Sequence, residues 1–494
     1  MPTTPHPLRA LCLAAGFALA AALLPPQAAR AQGTTVAIGG ALQADNAVVW
    51  RELVTLAGGP GARFVVLATA SGEPERSAAA LVQRLQAHGA VATVLPVAPR
   101  WTGVDAAQAV RDATLLAEVE RSRGVFLSGG AQARLLDTLA PGGEPTPLLQ
   151  ALRALWQRGG VVAGSSSGAA VLSAVAFRDA PDLLAILKDP AGRLRDGIEV
   201  DRGFAFLPAD VVVDQHFIQR GRVARLLPLM LQRGLPLGLG VEEDSAAVVR
   251  GREVRAIGRH GVLVVDTARA THAPGPFNVQ GAVLHWLAPG DRFDLDTRTL
   301  TPALHRRRTL DPALPDFAPY HRRGPGAAPF VADMLAERAL LTAMLRLVDS
   351  DEPALPGLSF AARPAADDPA PALGFAWQLS KGPGTRLHTA PDGSDASVHA
   401  VRLDVRPVRM AQPLYTPWAA EATPARPAGD APGAAPAAPR PATRGLREGH
   451  AGGAGHPRRQ RRFAAPRQSC RFTAPAGSVR RWRNAAPRPA AAAA

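Results

Sequence analysis

Val161-Val-Ala-Gly164-Ser-Ser166-Ser-Gly168-Ala-Ala-Val171 reads as a buried strand, a tight turn and the start of a helix. The apolar run 161–163 leads into a pentapeptide of the form G-x-S-x-G, and the helical run 169–175 follows it. A glycine two positions to either side of Ser166 lets strand and helix pack closely, and the helix N-terminus favours negative charge developing beside it. Ser166 is therefore a candidate nucleophile. A Ser/Gly-rich turn that only caps a helix accounts for the same five residues equally well.

Working outward, the join repeats in simpler form. Short apolar runs at 35–38, 64–69, 91–95 and 125–127 precede it, and helical patterns at 47–56, 78–88, 106–119, 131–139 and 148–158 lie between them. This βαβ alternation predicts a parallel sheet with helices on both faces and right-handed connections. Downstream come an apolar run at 211–213, a basic helix at 219–231, and closely spaced runs at 238–241, 246–249, 253–257 and 262–265. Turns at Arg250-Gly251 and His260-Gly261 punctuate these, so the sheet is expected to end in antiparallel hairpins. An Arg- and Pro-rich linker at 305–328, one helix at 329–348 with Pro329 in its first turn, and a Pro-rich stretch at 353–417 with weak strand signals complete the pattern.

The 494 residues are 47% hydrophobic and 20% charged, with mean hydropathy near zero, which suits a soluble globular protein of a few domains. The apolar run 10–24 is too short to span a bilayer. Arg9 precedes it and Ala29-Arg30-Ala31 offers a small-x-small cleavage site, so residues 1–31 read as a secretory signal. The expected product is secreted or periplasmic, with no stable membrane insertion after cleavage. Cys12 and Cys470 flank a core without thiols, which excludes internal disulfides and cysteine metal sites. Residues 421–494 hold 14 Arg and three acids, +11 of the net +15, with almost no aliphatic residues. The basicity thus belongs to a disordered Ala/Pro/Arg tail and argues against nucleic acid as a partner; a polyanion contact through Arg458, Arg459, Arg461 and Arg462 is the alternative. The expected division is a signal at 1–31, an α/β domain at 32–305, an accessory region at 306–420 and the tail at 421–494.

A serine nucleophile needs a base, and the base needs an orienting acid. His216 directly follows the strand at 211–213, and strand C-terminal ends are where open α/β sheets build their sites. A packed or surface histidine reads the same way. Glu242-Glu243-Asp244 follows the strand at 238–241, where one carboxylate is placed to orient the imidazole, although such acidic runs are commonly solvated. An α/β-hydrolase runs nucleophile, acid, histidine along the chain, whereas Ser166, His216, Glu243 does not. His260, His272 or His285 could still complete that other order.

Four strings decide between these readings: Gly124-Val-Phe-Leu-Ser-Gly-Gly-Ala-Gln132, the serine turn, Asp214-Gln-His-Phe-Ile-Gln-Arg-Gly-Arg-Val-Ala-Arg225, and Gly240-Val-Glu-Glu-Asp-Ser-Ala246. Together, over roughly residues 34–300, they resemble the serine peptidase family that contains the cyanophycinases and aspartyl dipeptidase. The resemblance implies a flavodoxin-like parallel sheet flanked by helices, a class I glutamine-amidotransferase-like α/β sandwich with antiparallel hairpins at its end. It implies Ser166 as nucleophile, His216 as general base and acid, and Glu243 as the residue holding the imidazole. Gly130 and Ser167 would supply backbone N–H groups to the oxyanion, and Gln132, Asp214, Gln215, Arg220, Arg222 and Arg225 would line the substrate pocket.

No metal or cofactor is implied, and a homodimer is compatible with the resemblance. The implied substrate is cyanophycin, a polyaspartate with arginine on each side-chain carboxyl, cut by an exopeptidase to β-aspartyl-arginine dipeptides. Aspartyl or isoaspartyl dipeptidase activity on the same scaffold is the alternative, as is a binding protein that has lost turnover. Two departures bear on substrate preference rather than on the triad: Ala131 stands where family members commonly carry an acid, and Ser167 where they carry a smaller residue.

Overall fold

The computed structural model describes residues 33–415 apart from 180, 323, 325 and 327. The expected signal segment, the basic tail and both cysteines lie outside the described residues.

The first half of the described chain alternates as the apolar periodicity predicts. In order come β1 (Thr34–Ile38), α1 (Ala47–Leu56), β2 (Arg63–Leu67), α2 (Pro74–Ala87), β3 (Val91–Leu95), α3 (Ala106–Ala109), α4 (Ala113–Glu120), β4 (Gly124–Leu127), α5 (Gln132–Leu139), α6 (Pro147–Gln157), β5 (Val161–Ser165) and a single turn, α7 (Ser167–Ala170). The helix expected over 106–119 is two helices, because Asp112 turns its carboxylate onto the N–H groups of Thr114 (2.8 Å) and Leu115 (3.1 Å) and starts a new one. The five strands lie parallel in the order β1-β5-β4-β2-β3. Alternate side chains separate two cores: Val36, Ile38, Phe64 and Val66 pack under α1 and α2, while Ala37, Val65 and Leu67 face the opposite way, toward α4 to α6.

The remaining elements are β6 (Val175–Phe177), α8 (Leu183–Lys188), α9 (Pro190–Arg193), β7 (Val200–Arg202), β8 (Val211–Gln215), α10 (Val223–Arg233), β9 (Leu237–Val241), β10 (Ser245–Arg250), β11 (Glu253–Gly258), β12 (Val262–Asp266), β13 (Val279–Leu287), β14 (Arg292–Asp294), β15 (Thr299–Thr301), β16 (Arg308–Leu310), α11 (Ala339–Val348), β17 (Ala354–Ser359), β18 (Leu373–Thr389) and β19 (Ala396–Arg409). Antiparallel hairpins do extend the first sheet, through β10, β11, β14 and β15 beyond β1. The strands β8, β9 and β12, expected in that same sheet, instead belong to a second one ordered β16-β18-β19-β13-β12-β9-β8. Its strands alternate too: Val211 and Val213 pack on the core shared with the first sheet, and Val212 faces α10.

Two expectations of the C-terminal half need correction, and a third holds. The linker expected over 305–328 contains β16, paired with β18, and Arg306 has a fully buried side chain bonded to Asp291 at 2.9 Å. An arginine-rich composition conceals a core position there, because a buried carboxylate receives the charge. The helix expected from Pro329 starts only at Ala339, since the N–H groups of Val331 and Met334 donate to the Pro356 and Leu358 carbonyls of β17. The weak strand signals of 353–417 correspond, within the described residues, to three strands: β18 pairs with both β17 and β19, and β19 also runs alongside β13. Residues 306–414 thus extend the second sheet.

Candidate active site

The C-terminal ends of β5, β8 and β9 converge. At the end of β5, Ser166 sits at φ 54° and ψ −117°, a conformation that side chains rarely adopt and that the turn enforces from both sides. A Cβ on Gly164 would come within 2.1 Å of the Gly168 carbonyl oxygen, and one on Gly168 within 2.4 Å of the Leu127 oxygen. Both glycines of G-x-S-x-G are therefore demanded by close approach, and the turn lifts the hydroxyl above the sheet.

There the Ser166 Oγ lies 2.8 Å from Nε2 of His216, and Nδ1 of His216 lies 2.6 Å from Oε1 of Glu243. A proton on Nδ1 held by the Glu243 carboxylate leaves Nε2 as an acceptor, able to take the serine proton. His216 is buried, and burial is the main cause holding its pKa below the ordinary histidine value; Glu243 opposes the shift, and Arg220 and Arg222 add to it. The neutral imidazole needed for a base is thus favoured.

The acidic run is not a solvated strip. Glu242 is buried, and its Oε1 accepts the Ile218 N–H at 2.7 Å; burial pushes its carboxyl up to about 8 despite that bond. Asp244 turns the other way, accepting the Gln43 N–H at 2.9 Å and the Asn46 amide at 2.8 Å and pairing with Arg259. Glu243 alone of the three faces the histidine, with 31% of its side chain exposed.

Beside the serine, a Cβ on Gly129 would lie 3.0 Å from the Ser166 Cβ, so the Gly129-Gly130 backbone runs along Ser166. Gly130 has φ 149°, and a Cβ there would fall 1.9 Å from the Ala70 oxygen. The peptide after Gly130 is pinned at both ends: Ser167 Oγ donates to the Gly130 carbonyl at 2.6 Å, and the Ala131 N–H donates to Ala70 at 2.9 Å. Ser167 opens α7, where a helical N–H has no intrahelical acceptor. The hydroxyl of Ser167 also lies 3.1 Å from Oε1 of Gln132, the first residue of α5.

The remaining pocket candidates divide. Period two along β8 puts Asp214 on the α10 side, fully buried, where Arg225 grips it through two bonds of 2.6 Å and stacks over the Phe177 ring at 4.3 Å. Burial alone would raise the Asp214 pKa, but Arg225 and then Arg222 hold it below the ordinary value. Arg222 donates to the Gln215 carbonyl at 2.7 Å and reaches Asp214 at 3.4 Å; burial lowers its pKa to about 10. A direct grip of Arg225 on a substrate carboxylate is therefore not what the geometry offers, since a carboxylate of the chain already fills its fork. The basic helix expected at 219–231 is instead a short turn at Ile218–Arg220, a left-handed Gly221, and the buried α10. Arg220 stays at the rim, its side chain 54% exposed and 3.9 Å from Glu243. Gln215 is buried, with its Oε1 lacking a hydrogen-bond partner. Among the described residues no cluster of three or more His, Cys, Asp or Glu is arranged to hold a metal ion.

Sequence reasoning missed Gly39 and Gly40, which follow β1. The Gly39 carbonyl accepts the His216 N–H at 2.9 Å, and a Cβ on Gly40 would strike the imidazole. An adjacent Gly-Gly pair ending a strand was the available signal.

A model of peptidase family S51 matches residues 36–257, a stretch that contains all three converging loops. The cyanophycinase of Trichormus variabilis is 35% identical over 200 residues, which cover 38% of this chain and 63% of that relative. The chain thus spans less than two thirds of that relative's length. The cyanophycinase of Synechococcus elongatus is 31% identical over 285 residues, 54% of this chain and 80% of the relative. A solved peptidase from an acI-B1 actinobacterium aligns with 54% of this chain and 98% of its own, at 21% identity and a TM-score of 0.38. With a relative above 30% identity matched over four fifths of its length, the chain belongs to peptidase family S51.

Proposed function

We propose that this protein is an exported serine peptidase that hydrolyses cyanophycin to β-aspartyl-arginine dipeptides through an acyl-enzyme on Ser166. The observation carrying the reading is the line Ser166 Oγ, His216, Glu243, joined at 2.8 and 2.6 Å. Nε2 of His216 takes the hydroxyl proton as Oγ attacks the scissile carbonyl carbon, and Glu243 stabilises the imidazolium through Nδ1. The carbonyl oxygen becomes an oxyanion beside the backbone N–H groups of Gly130 and Ser167, donors whose individual loss typically costs about 10²- to 10³-fold. Collapse of this intermediate expels the amine, which receives the proton from His216 and leaves an ester on Ser166. His216 then deprotonates a water that attacks the ester, and the returning proton restores the serine.

The names of the curated relatives support cyanophycin as substrate. The exposed Arg220 supports it chemically, as a cation at the rim for a substrate carboxylate, while Arg222 and Arg225 shape the pocket from behind. Five parallel strands with helices on both faces support the flavodoxin-like, class I glutamine-amidotransferase-like form of the sandwich. Export rests on the signal-like residues 1–31, and an N-terminus beginning at Gln32 on the recovered protein is the expected result of sequencing it.

The decisive experiment incubates purified protein with insoluble cyanophycin and follows soluble dipeptide. Wild-type chain should release it and Ser166→Ala should release none while keeping the wild-type melting temperature. Unchanged turnover by Ser166→Ala removes the nucleophile assignment. Turnover of isoaspartyl dipeptides without release from the polymer redirects the substrate.

A further inference from the structure

Three consecutive carbonyls leave the end of β1, and each holds a different loop of the site. Ile38 accepts the N–H of Ser166 at 3.0 Å, Gly39 accepts that of His216 at 2.9 Å, and Gly40 accepts that of Asp244, the neighbour of Glu243, at 2.9 Å. The first bond continues the parallel ladder in which Ile38 pairs with Ser165. The third lies on the antiparallel side, where the Gly39 N–H donates to Ser245 at 3.0 Å. The middle one crosses to the second sheet. One short segment therefore sets the register among the nucleophile, the base and the acid, which otherwise stand on different strands and different sheets.

The glycines are what let it pass. A Cβ on Gly39 would lie 1.8 Å from the Glu242 carbonyl oxygen. Gly40 has φ 96°, and a Cβ there would lie 2.3 Å from Cε1 and 2.4 Å from Nε2 of His216, the edge of the ring that faces Ser166. The imidazole is thus seated between the Glu243 carboxylate on one side and the bare Cα of residue 40 on the other. Close steric approach, unlike a hydrogen bond, limits how far the ring can travel without itself holding a proton on it.

We propose that Gly40 is a positioning residue of the triad, whose missing side chain fixes the place of the His216 ring, and that the carbonyls of 38–40 form the common anchor of the three loops. The proposal deepens the serine-peptidase reading and rests on it. Gly40→Ala should lower kcat about a hundredfold, the size of loss expected from an ångström-scale displacement of a catalytic group, with KM nearly unchanged. Gly59→Ala is the control: Gly59 has a similarly positive φ of 89°, which also disfavours alanine, but a Cβ there would have nothing within 4 Å. Its activity should stay within about twofold of wild type.

A thermal cycle reads the contact without any activity. The loss of Tm caused by Gly40→Ala should shrink clearly in a His216→Ala background, where the ring that collides with the methyl is gone. Equal losses in both backgrounds overturn the proposal, as does wild-type kcat in Gly40→Ala. If neither Gly40→Ala nor the double variant folds, the backbone alone demands the glycine and the positioning role falls. Because the cycle uses melting only, a wild-type chain inactive on every β-aspartyl substrate would defeat the serine-peptidase reading and leave the contact measured.

Discussion

Ser166 and His216 meet at 2.8 Å, yet they are placed by opposite kinds of interaction. The backbone turn that carries the serine is written locally. Its unusual backbone angles follow from glycines two residues to either side, and the strand and helix that carry them are neighbours in the chain. The histidine is set by register between strands. Gln215 pairs with Val241 in the parallel ladder of β8 and β9, so the chain runs on to His216 on one strand and to Glu242 and Glu243 on the other. That ladder is the edge of a sheet whose body, β12, β13, β19 and β18, is added later in the chain and antiparallel. The serine turn can thus be specified by five residues, whereas the histidine that meets it depends on a sheet assembled from nearly two hundred.

The strongest way to break this contrast is to remove the second sheet's support. A chain ending at residue 305 lacks β16 to β19 and α11, and with them Trp377, Phe375, Leu379, Met344 and Leu347 of the core beneath α10. We expect no cooperative thermal transition and no peptidase activity from it, although the stretch matching the family is intact. A truncated chain that melts within a few degrees of the full one would show that the second sheet stands without its C-terminal half.

Next in size is the ion pair under the histidine's strand. Asp214→Ala leaves the buried Arg225 charge uncompensated, which costs on the order of 3–5 kcal/mol. Breaking the exposed Arg292–Glu253 pair of the first sheet by Glu253→Ala should cost about 0–1 kcal/mol. Urea denaturation of both variants separates the two. Similar losses would mean that Asp214 and Arg225 do not hold β8 to α10.

What was legible follows the same division. The parallel strands and their helices could be read because each buries an apolar run bounded by turn residues, and Ser166 because its turn chemistry is contained in a pentapeptide. His216 and Glu243 needed the long strings around them, since a histidine or an acidic run at a strand end carries no local mark of its partner. The second sheet was not legible. Its long strands β18 and β19 include Pro407 and the exposed Arg386, Arg402 and Arg406, and the second partner of β19, β13, lies about a hundred residues away, so no short window of sequence contains that pairing. Arg306 misled for a physical reason: it is a charge buried against a carboxylate, and composition counts it as surface.

A smaller effect sharpens the local side of the comparison. Ser167 Oγ is the strap between the serine turn and the Gly130 carbonyl, so Ser167→Ala should loosen the peptide that aims the oxyanion donors. The expected loss is about tenfold in kcat with KM little changed, below the 10²- to 10³-fold of losing a donor outright. Ser165→Ala, which cuts no such strap, should stay near wild type. Equal kcat in both variants would leave Gly130 held by Ala70 alone.

The smallest effect tests the electrostatics of the register-set side. Burial, with Arg220 and Arg222 assisting against Glu243, keeps the His216 pKa below 6.5. A base works unprotonated, so kcat/KM should rise with pH along a limb centred below 6.5 and then level off. Stability moves the same way: below pH 6.5 the unfolded chain takes up a proton that the folded His216 refuses, so this residue's contribution is lost as pH falls toward its folded pKa. Arg220→Ala removes a cation that disfavours the imidazolium and also withdraws a competitor from Glu243, and both changes raise the pKa. The acid limb of that variant should therefore shift to higher pH, and because Arg220 is half exposed, the difference from wild type should shrink as salt is added. A limb that stays in place at low salt would mean that burial alone tunes the histidine, and that the rim arginine serves only the substrate.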